Sequence, residues 1–439
     1  MFSAEDNDLL TRTRAGTAMG DLFRRFWMPV LLSRELPEPD GPPVRVKVLG
    51  EDLLAFRDSE NRVGLIEPRC PHRGADLFFG RNENHGIRCV YHGWKFDVCG
   101  TCVEIPTMAR DEGTRSRIHI TAYPTREWGD MVWAYMGPPE HQPELPEMDF
   151  ALVPPSHRFV TKKLQECNWA QSCEGALDTA HFSFLHIPLA VPEVPPSRQN
   201  HPLAEATRWM MDDPRPVFHI IEHEAGLLLA ASRHADGEDL YWRVTQFLMP
   251  NHSLAPGSAR GESFFGQTWV PIDDTSCWVY VYSWNPDRPL KEKESRFIPG
   301  IPSVHADVDE NWVPIRNRGN DYLIDRFAQK TMSFTGIEGI SEQDAAIQDS
   351  QGVIADRTRE HLGPTDLGIV RFRRLILGAA RALQNGIEPP AAAAAHAYHV
   401  RSGGTVAPGD RPVGEVLTER FGNETGFVAG ADNEATVHG

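Results

Sequence analysis

The chain has no run of about 18 apolar residues, the length a membrane-spanning helix needs. It opens MFSAEDND, acidic where a secretory leader would be basic, so the sequence reads as a soluble, cytoplasmic protein with no membrane partner. Positive charge is also scarce: 44 Lys and Arg stand against 61 Asp and Glu, a net charge of −17. That field repels phosphate backbones and argues against a nucleic-acid partner. Cysteine is sparse and odd in number, seven in 439 residues, which excludes a complete disulfide framework and leaves metal ligation as a use for some of them. No internal repeat is present. What remains is 41 % hydrophobic and 24 % charged, a globular composition with length for two or three domains.

Four stretches follow from composition and period. Residues 1–26 carry helical spacing in Leu9, Leu10, Met19, Leu22 and Phe23, interrupted by Gly16 and Gly20. Residues 27–145 read as a β domain, with Val44, Val46 and Val48 alternating with Arg45 and Lys47, and MVWAYM as the closing strand. Residues 146–388 combine a helical pattern from Cys167 to Leu185, a run of strands at hairpin spacing from VFHIIEH to CWVYVYSW, and a late helix. That helix bears an Ile369, Phe372, Ile376, Ala380, Leu383 stripe, opened by Thr365 or Asp366 and stopped at Gly386. The expected class is α+β, an antiparallel sheet covered by helices. Residues 389–439 have no sustained period and are expected to form a flexible tail.

Two short motifs carry chemistry. Cys70 and His72 form CxH and, sixteen residues on, Cys89 and His92 form CxxH. Pro71, Gly74, Gly86 and Gly93 allow tight turns around a small inorganic core. The inventory also suits zinc, but a zinc finger pairs Cys with Cys and His with His. Mixed pairs suit a two-iron, two-sulfur centre with both Cys on one iron and both His on the other. Further along, Asp178, His181 and His186 form DxxHxxxxH. The first two would share a helix face. The two histidines, about 140° apart on a regular helix, converge only if the helix ends or bulges between them, and otherwise are buried polar residues bonded to carbonyls. Cys99 and Cys102 read as turn or buried thiols; Cys167, Cys173 and Cys277 read as core.

These motifs, with GDLFRRFWMPV, CPHRGADLFFGR, AYPTREWGDMVWAYMG and SQGVIADRTREHLGPTDLGI, resemble the Rieske non-haem iron ring-hydroxylating oxygenases, α subunits of the phthalate dioxygenase and phenoxybenzoate dioxygenase type. The resemblance spans about Asp8 to Leu377. It implies a Rieske domain over 27–145 and a helix-grip catalytic domain over 146–388. Cys70 and Cys89 would hold the inner iron of a 2Fe-2S cluster and His72 and His92 the outer, with Trp94 packed by the cluster or simply in the core. A mononuclear Fe(II) would sit on His181, His186 and a distant acid in SEQDAAIQDSQG. Asp344 is the best match; Asp349 and Glu342 are reserves, and a capping box from Ser341 is the competing use of Asp344. In the family Asp178 links His181 to the ligand equivalent to His92 across a subunit boundary, implying a homotrimer or trimer-based oligomer. Asn168 would orient water or a ligand near iron, or cap a helix.

The implied activity is a terminal oxygenase, fed electrons from NAD(P)H by a reductase, that hydroxylates an aromatic carboxylate, as a cis-diol or, with methyl ethers or amines, by demethylation. A different reading is a Rieske electron carrier with a non-catalytic ligand-binding domain. Because the chain is acidic overall, the carboxylate needs a local arginine; Arg208, Arg233 and Arg243 are the candidates, and Arg243 should share a strand face with Tyr241 and Thr245.

Overall fold

The computed structural model describes residues 2–108, 117–194, 201–256 and 263–421, with 113, 199 and 435–436. The valine alternation behaves as its period demands: in the strand Val44–Val48, Val46 and Val48 are buried while Arg45 is exposed. This strand belongs to a four-stranded antiparallel sheet with Glu51–Arg57, Val63–Ile66 and Ala122–Tyr123. A second four-stranded sheet runs Arg81–Glu83, Gly86–Arg88, Lys95–Phe96, Cys102–Glu104. Leu54, Phe56, Ile66, Leu77, Ile87 and Phe96 form one small core, and Cys70 and Cys89 are embedded in it.

Among the described residues a larger sheet has nine strands, eight on one path and the ninth, Gly403–Pro408, beside Asp239–Leu248. Along it lie Arg158–Gln165, Ser276–Trp284, Phe264–Asp273, His252–Pro256, Asp239–Leu248, Gly226–His234, Val217–His223 and Ala435–Thr436, all antiparallel. The Leu367–Gln384 helix lies on one face. Its Ile369, Phe372, Ile376 and Ala380 are buried and Leu383 half-buried, the predicted stripe. Phe372 meets Phe247 edge-on at 4.8 Å between ring centroids. Burying Phe372 and Ile376 fully contributes about 1.5–3 kcal/mol each. The helix approaches closely because Gly368 has no side chain: a Cβ there would stand 2.6 Å from Leu229 Cδ2. It ends where Gly386 turns with φ +78°.

Two expectations need correction. The helical pattern from Cys167 to Leu185 yields a helix only over Trp169–Leu177. Asp178 is its C-cap with extended backbone, so Asp178 and His181 do not share a helix face; a short 3-10 turn over His181–Ser183 follows. The stretch from 389 is also not a loose tail as far as 421. Gly403–Pro408 pairs with Asp239–Leu248, and Val413, Val416 and Leu417 bury the sheet face formed by Leu228, Ala230, Trp242 and Val244. The cause is tertiary: those residues are apolar on the sheet face away from the long helix, and something must cover them. The rest of the expected tail, 422–434 and 437–439, lies outside the described residues.

Candidate metal centres and substrate cavity

Two loops of the small domain fold alike. In the first, Gly74 N donates to Cys70 O and Cys70 N to Ala75 O; in the second, Gly93 N donates to Cys89 O and Cys89 N to Trp94 O, all at 2.8–2.9 Å. Gly74 and Gly93 both have φ above +70°, the left-handed conformation each turn requires. The turns present Cys70 and Cys89 inward, 1 % and 2 % exposed, and bring the His72 and His92 rings edge-to-face at 4.4 Å. Trp94 stacks flat on His72 at 4.7 Å, so it packs beside this set. Burial pushes the Cys70 thiol up to about 11; only a metal partner would make it a thiolate at neutral pH. His92 Nδ1 is buried without a hydrogen-bond partner, which suits the donor atom of a metal ligand.

Spacing separates zinc from a cluster. Four ligands on one tetrahedral zinc place their donor atoms roughly 3.3–3.8 Å apart. Among the described residues only His181, His186 and Asp344 bring three donor atoms within 4.8 Å of one another; in the small domain the close pairs are Cys70 with Cys89 and His72 with His92, the pairing that a two-iron core takes. No disulfide joins any of the seven cysteines; Cys99 is exposed and Cys102 buried.

The second centre is built by the chain leaving the Trp169–Leu177 helix. Released from helical geometry, the histidines converge: His181 Nε2 lies 3.0 Å from His186 Nε2, and Asp344 Oδ1 lies 3.7 Å and 3.2 Å from them. Asp344 comes from the Ile340–Ser350 helix, whose N-cap is Gly339, so the capping-box alternative does not hold. The reserve acids are engaged elsewhere: Asp349 accepts from Gln165 and Tyr322, and Glu342 from the Asp307 amide. Burial alone would raise Asp344, but the charge and hydrogen bond of His186 hold it below the ordinary carboxylate value. Two histidines and one carboxylate on one side of a cavity form the open donor set of non-haem ferrous sites.

Each histidine is oriented from behind. Asp178 Oδ2 lies 3.6 Å from His181 Nδ1, and its other oxygen accepts from Ala180 N at 2.7 Å. Against the upward push of burial, the His181 contacts and that amide bond keep Asp178 low. His186 Nδ1 lies 2.7 Å from Gln343 Oε1, and Gln343 Nε2 donates to Ile337 O, which fixes the amide and makes Nδ1 the protonated nitrogen. Sequence reasoning passed over Gln343; its position beside Asp344 was the available signal.

Asn168 is not near this centre. It caps the far end of the Trp169–Leu177 helix, accepting from Ala170 N and donating to Thr11 O and Asp274 O, so its expected role beside iron is withdrawn. The triad opens into a cavity of about 940 Å³ lined also by Phe182, Met210, Phe265, Gln267 and Arg243. Arg243 is 2 % exposed, its guanidinium 3.9 Å from the Phe182 ring centroid, and its Nε has no partner. Arg208 is tied to Glu205, Asp212 and Asp236 at the surface and does not line the cavity. Arg233 is buried behind it, donating to Thr179 O.

Known proteins share this architecture. The Rieske [2Fe-2S] domain family matches residues 26–124, and the LigXa C-terminal domain like family matches residues 134–406. The 3-chlorobenzoate-3,4-dioxygenase oxygenase subunit of Comamonas testosteroni is 39% identical over 425 residues, 93% of this chain and 96% of that one. The phthalate 4,5-dioxygenase oxygenase subunit of Pseudomonas putida is 41% identical over 396 residues, 88% of each chain. In fold, the structure of Pseudomonas putida CBB5 NdmA with caffeine superposes with a TM-score of 0.56 at 16% identity, over 86% of this chain and 96% of that one. No helix among the described residues is long and apolar enough to cross a membrane. With a Rieske domain, a matching catalytic domain and relatives at this identity over nearly their whole length, the chain belongs to the Rieske ring-hydroxylating oxygenases, oxidoreductases of which it is an oxygenase subunit.

Proposed function

We propose that this chain is a terminal oxygenase that hydroxylates an aromatic carboxylate, adding O2 to the ring as a cis-diol with electrons drawn from NAD(P)H through a separate reductase. One observation carries the reading: the His181, His186, Asp344 triad and the buried Arg243 guanidinium face one cavity large enough for an aromatic acid. The names of the relatives, which act on 3-chlorobenzoate and phthalate, support the same substrate class.

The residues divide the work. Arg243 clamps the carboxylate through paired N–H donors, and Phe182 beneath the guanidinium holds its plane. Met210 and Phe265 supply apolar surface for the ring and displace water. Asp178 and Gln343 each keep a histidine's Nδ1 protonated, turning its Nε2 lone pair toward Asp344. When bound, iron at the triad supplies oxygen activation and the 2Fe-2S cluster supplies electrons. Asp178 retains 28% side-chain exposure, enough to meet His92 of a neighbouring copy in a homotrimer and give a hydrogen-bonded route between centres.

The test is metal and sulfide analysis of anaerobically purified protein beside the His181→Ala, His186→Ala double variant. About three irons and two sulfides per chain, falling to about two and two, support both centres. About two irons in both proteins after ferrous reconstitution would overturn the oxygenase reading and leave an electron carrier. Product analysis with aromatic carboxylates then separates a diol from the formaldehyde of demethylation.

A further inference from the structure

Arg233 is 1 % exposed in the Gly226–His234 strand. Its Nη2 donates to Thr179 O at 2.7 Å, while Nε and Nη1 are buried without partners. Tyr241 stands opposite Arg233 in the strand register and Arg243 opposite Ala231, so the two arginines are diagonal neighbours on one sheet face. Their like charges oppose each other. The acids that act on Arg233 through space are committed elsewhere: Asp213 to His234 at 2.7 Å, and Asp178 to Ala180 N and His181. Burial lowers Arg233 only to about 10, so it stays protonated at neutral pH. A buried guanidinium with one neutral hydrogen bond is among the least favourable arrangements in a protein interior. A substrate carboxylate on Arg243 leaves this second charge unanswered, because Arg233 does not line the substrate cavity.

The surroundings offer donors. Trp209 Nε1 and Thr179 Oγ1 are buried without partners, and the Trp209 ring packs against Tyr241 at 5.6 Å. Tyr241 Oη lies beside Arg243 without completing a hydrogen bond to it. We propose that Arg233, Trp209, Tyr241 and Thr179 form a buried anion site behind the substrate cavity that takes one small monovalent anion, a halide or a carboxylate group. Such an anion neutralises the residue that holds Thr179, next to Asp178, and so steadies the loop carrying His181. Its source is a free ion, since none of the four residues lines the substrate cavity.

Bromide is the probe, used on the full-length, metal-loaded protein. The midpoint of thermal unfolding should rise saturably in sodium bromide over sodium gluconate at equal ionic strength, and anomalous diffraction should place bromide within hydrogen-bonding distance of Arg233 Nη1 and Trp209 Nε1. Arg233→Met should abolish both signals. Trp209→Phe, which removes only the indole donor and bicyclic bulk, should weaken bromide at least tenfold and decides the matter if the first variant does not fold. Arg208→Met, at the surface, should change neither. Neither benzoate nor benzene-1,2-dicarboxylate, which bind in the substrate cavity, should displace bromide. Displacement by either acid, or equal unfolding in bromide and gluconate with only water density at Arg233, would overturn the site. Each result is independent of iron content and products, where the proposed function is tested.

Discussion

At the scale of single residues, the centres depend on groups behind the ligands as much as on the ligands. Asp178→Asn keeps a hydrogen-bonding side chain beside His181 but removes the charge. Iron and sulfide content should stay at wild-type levels while turnover falls about 10–100-fold or more; undiminished turnover would exclude Asp178 from electron delivery. Gln343→Leu acts on the other histidine and predicts a different signature. His186 loses the acceptor at Nδ1, so ferrous iron affinity, measured by competition with a chelator, should drop about 10–100-fold while the 2Fe-2S absorption is unchanged. Arg243→Gln should raise KM for an aromatic carboxylate, with a loss of about 2–5 kcal/mol in kcat/KM, and leave iron content intact. A KM that does not move would place the substrate acid elsewhere in the cavity.

At the scale of elements, the helix that leads into the His181 and His186 loop is held by a buried ionic cluster. Glu174, near the C-terminal end of the Trp169–Leu177 helix, meets Arg357 at 2.9 Å and Arg373 of the long helix at 2.7 Å, and Arg373 also pairs with Glu360. Burial opposes ionisation of Glu174, but the two guanidiniums outweigh it and the carboxyl lies below its usual value. A carboxyl depressed in the folded state contributes stability that is complete above its unfolded value, about 4.3, and is lost as pH falls through the lower folded value. Glu174→Gln should therefore cost about 3–5 kcal/mol at neutral pH and flatten the fall of stability on the acid side; urea unfolding at pH 7 and pH 4 measures both. The helix stripe and its stop at Gly386 were legible because a 3.6-residue period survives in sequence. The end of the Trp169–Leu177 helix was not, since Ala176, Leu177 and Ala180 fit continued helix equally well. It stops at Asp178, whose backbone is extended and whose Oδ1 accepts from Ala180 N.

At the scale of the whole molecule, the segment past residue 402 closes the second face of the large sheet. Removing residues 403–439 would expose Leu228, Trp242 and Val244. A loss of only about 3 kcal/mol would lower Tm by roughly 6–12 °C, and calorimetry of the truncated protein should show at least that. An unchanged Tm would mean that this segment contributes nothing to the catalytic domain. The sequence concealed its role because its apolar residues are few and split between a strand and a short helix, each too brief to set a period.

What the sequence determined by itself was chemistry that is local or repeated. The CxH and CxxH turns place their ligands within five residues of a glycine, and that information is carried along the chain. Tertiary structure decided what depends on distant segments meeting. It joined Asp344 to two histidines more than 150 residues earlier, set Asn168 at the opposite end of its helix from them, and turned Arg243 toward the cavity that the triad opens into while leaving Arg208 at the surface. These outcomes follow from which sheet face and which helix end are buried, and burial is fixed only when the whole chain has closed on its core.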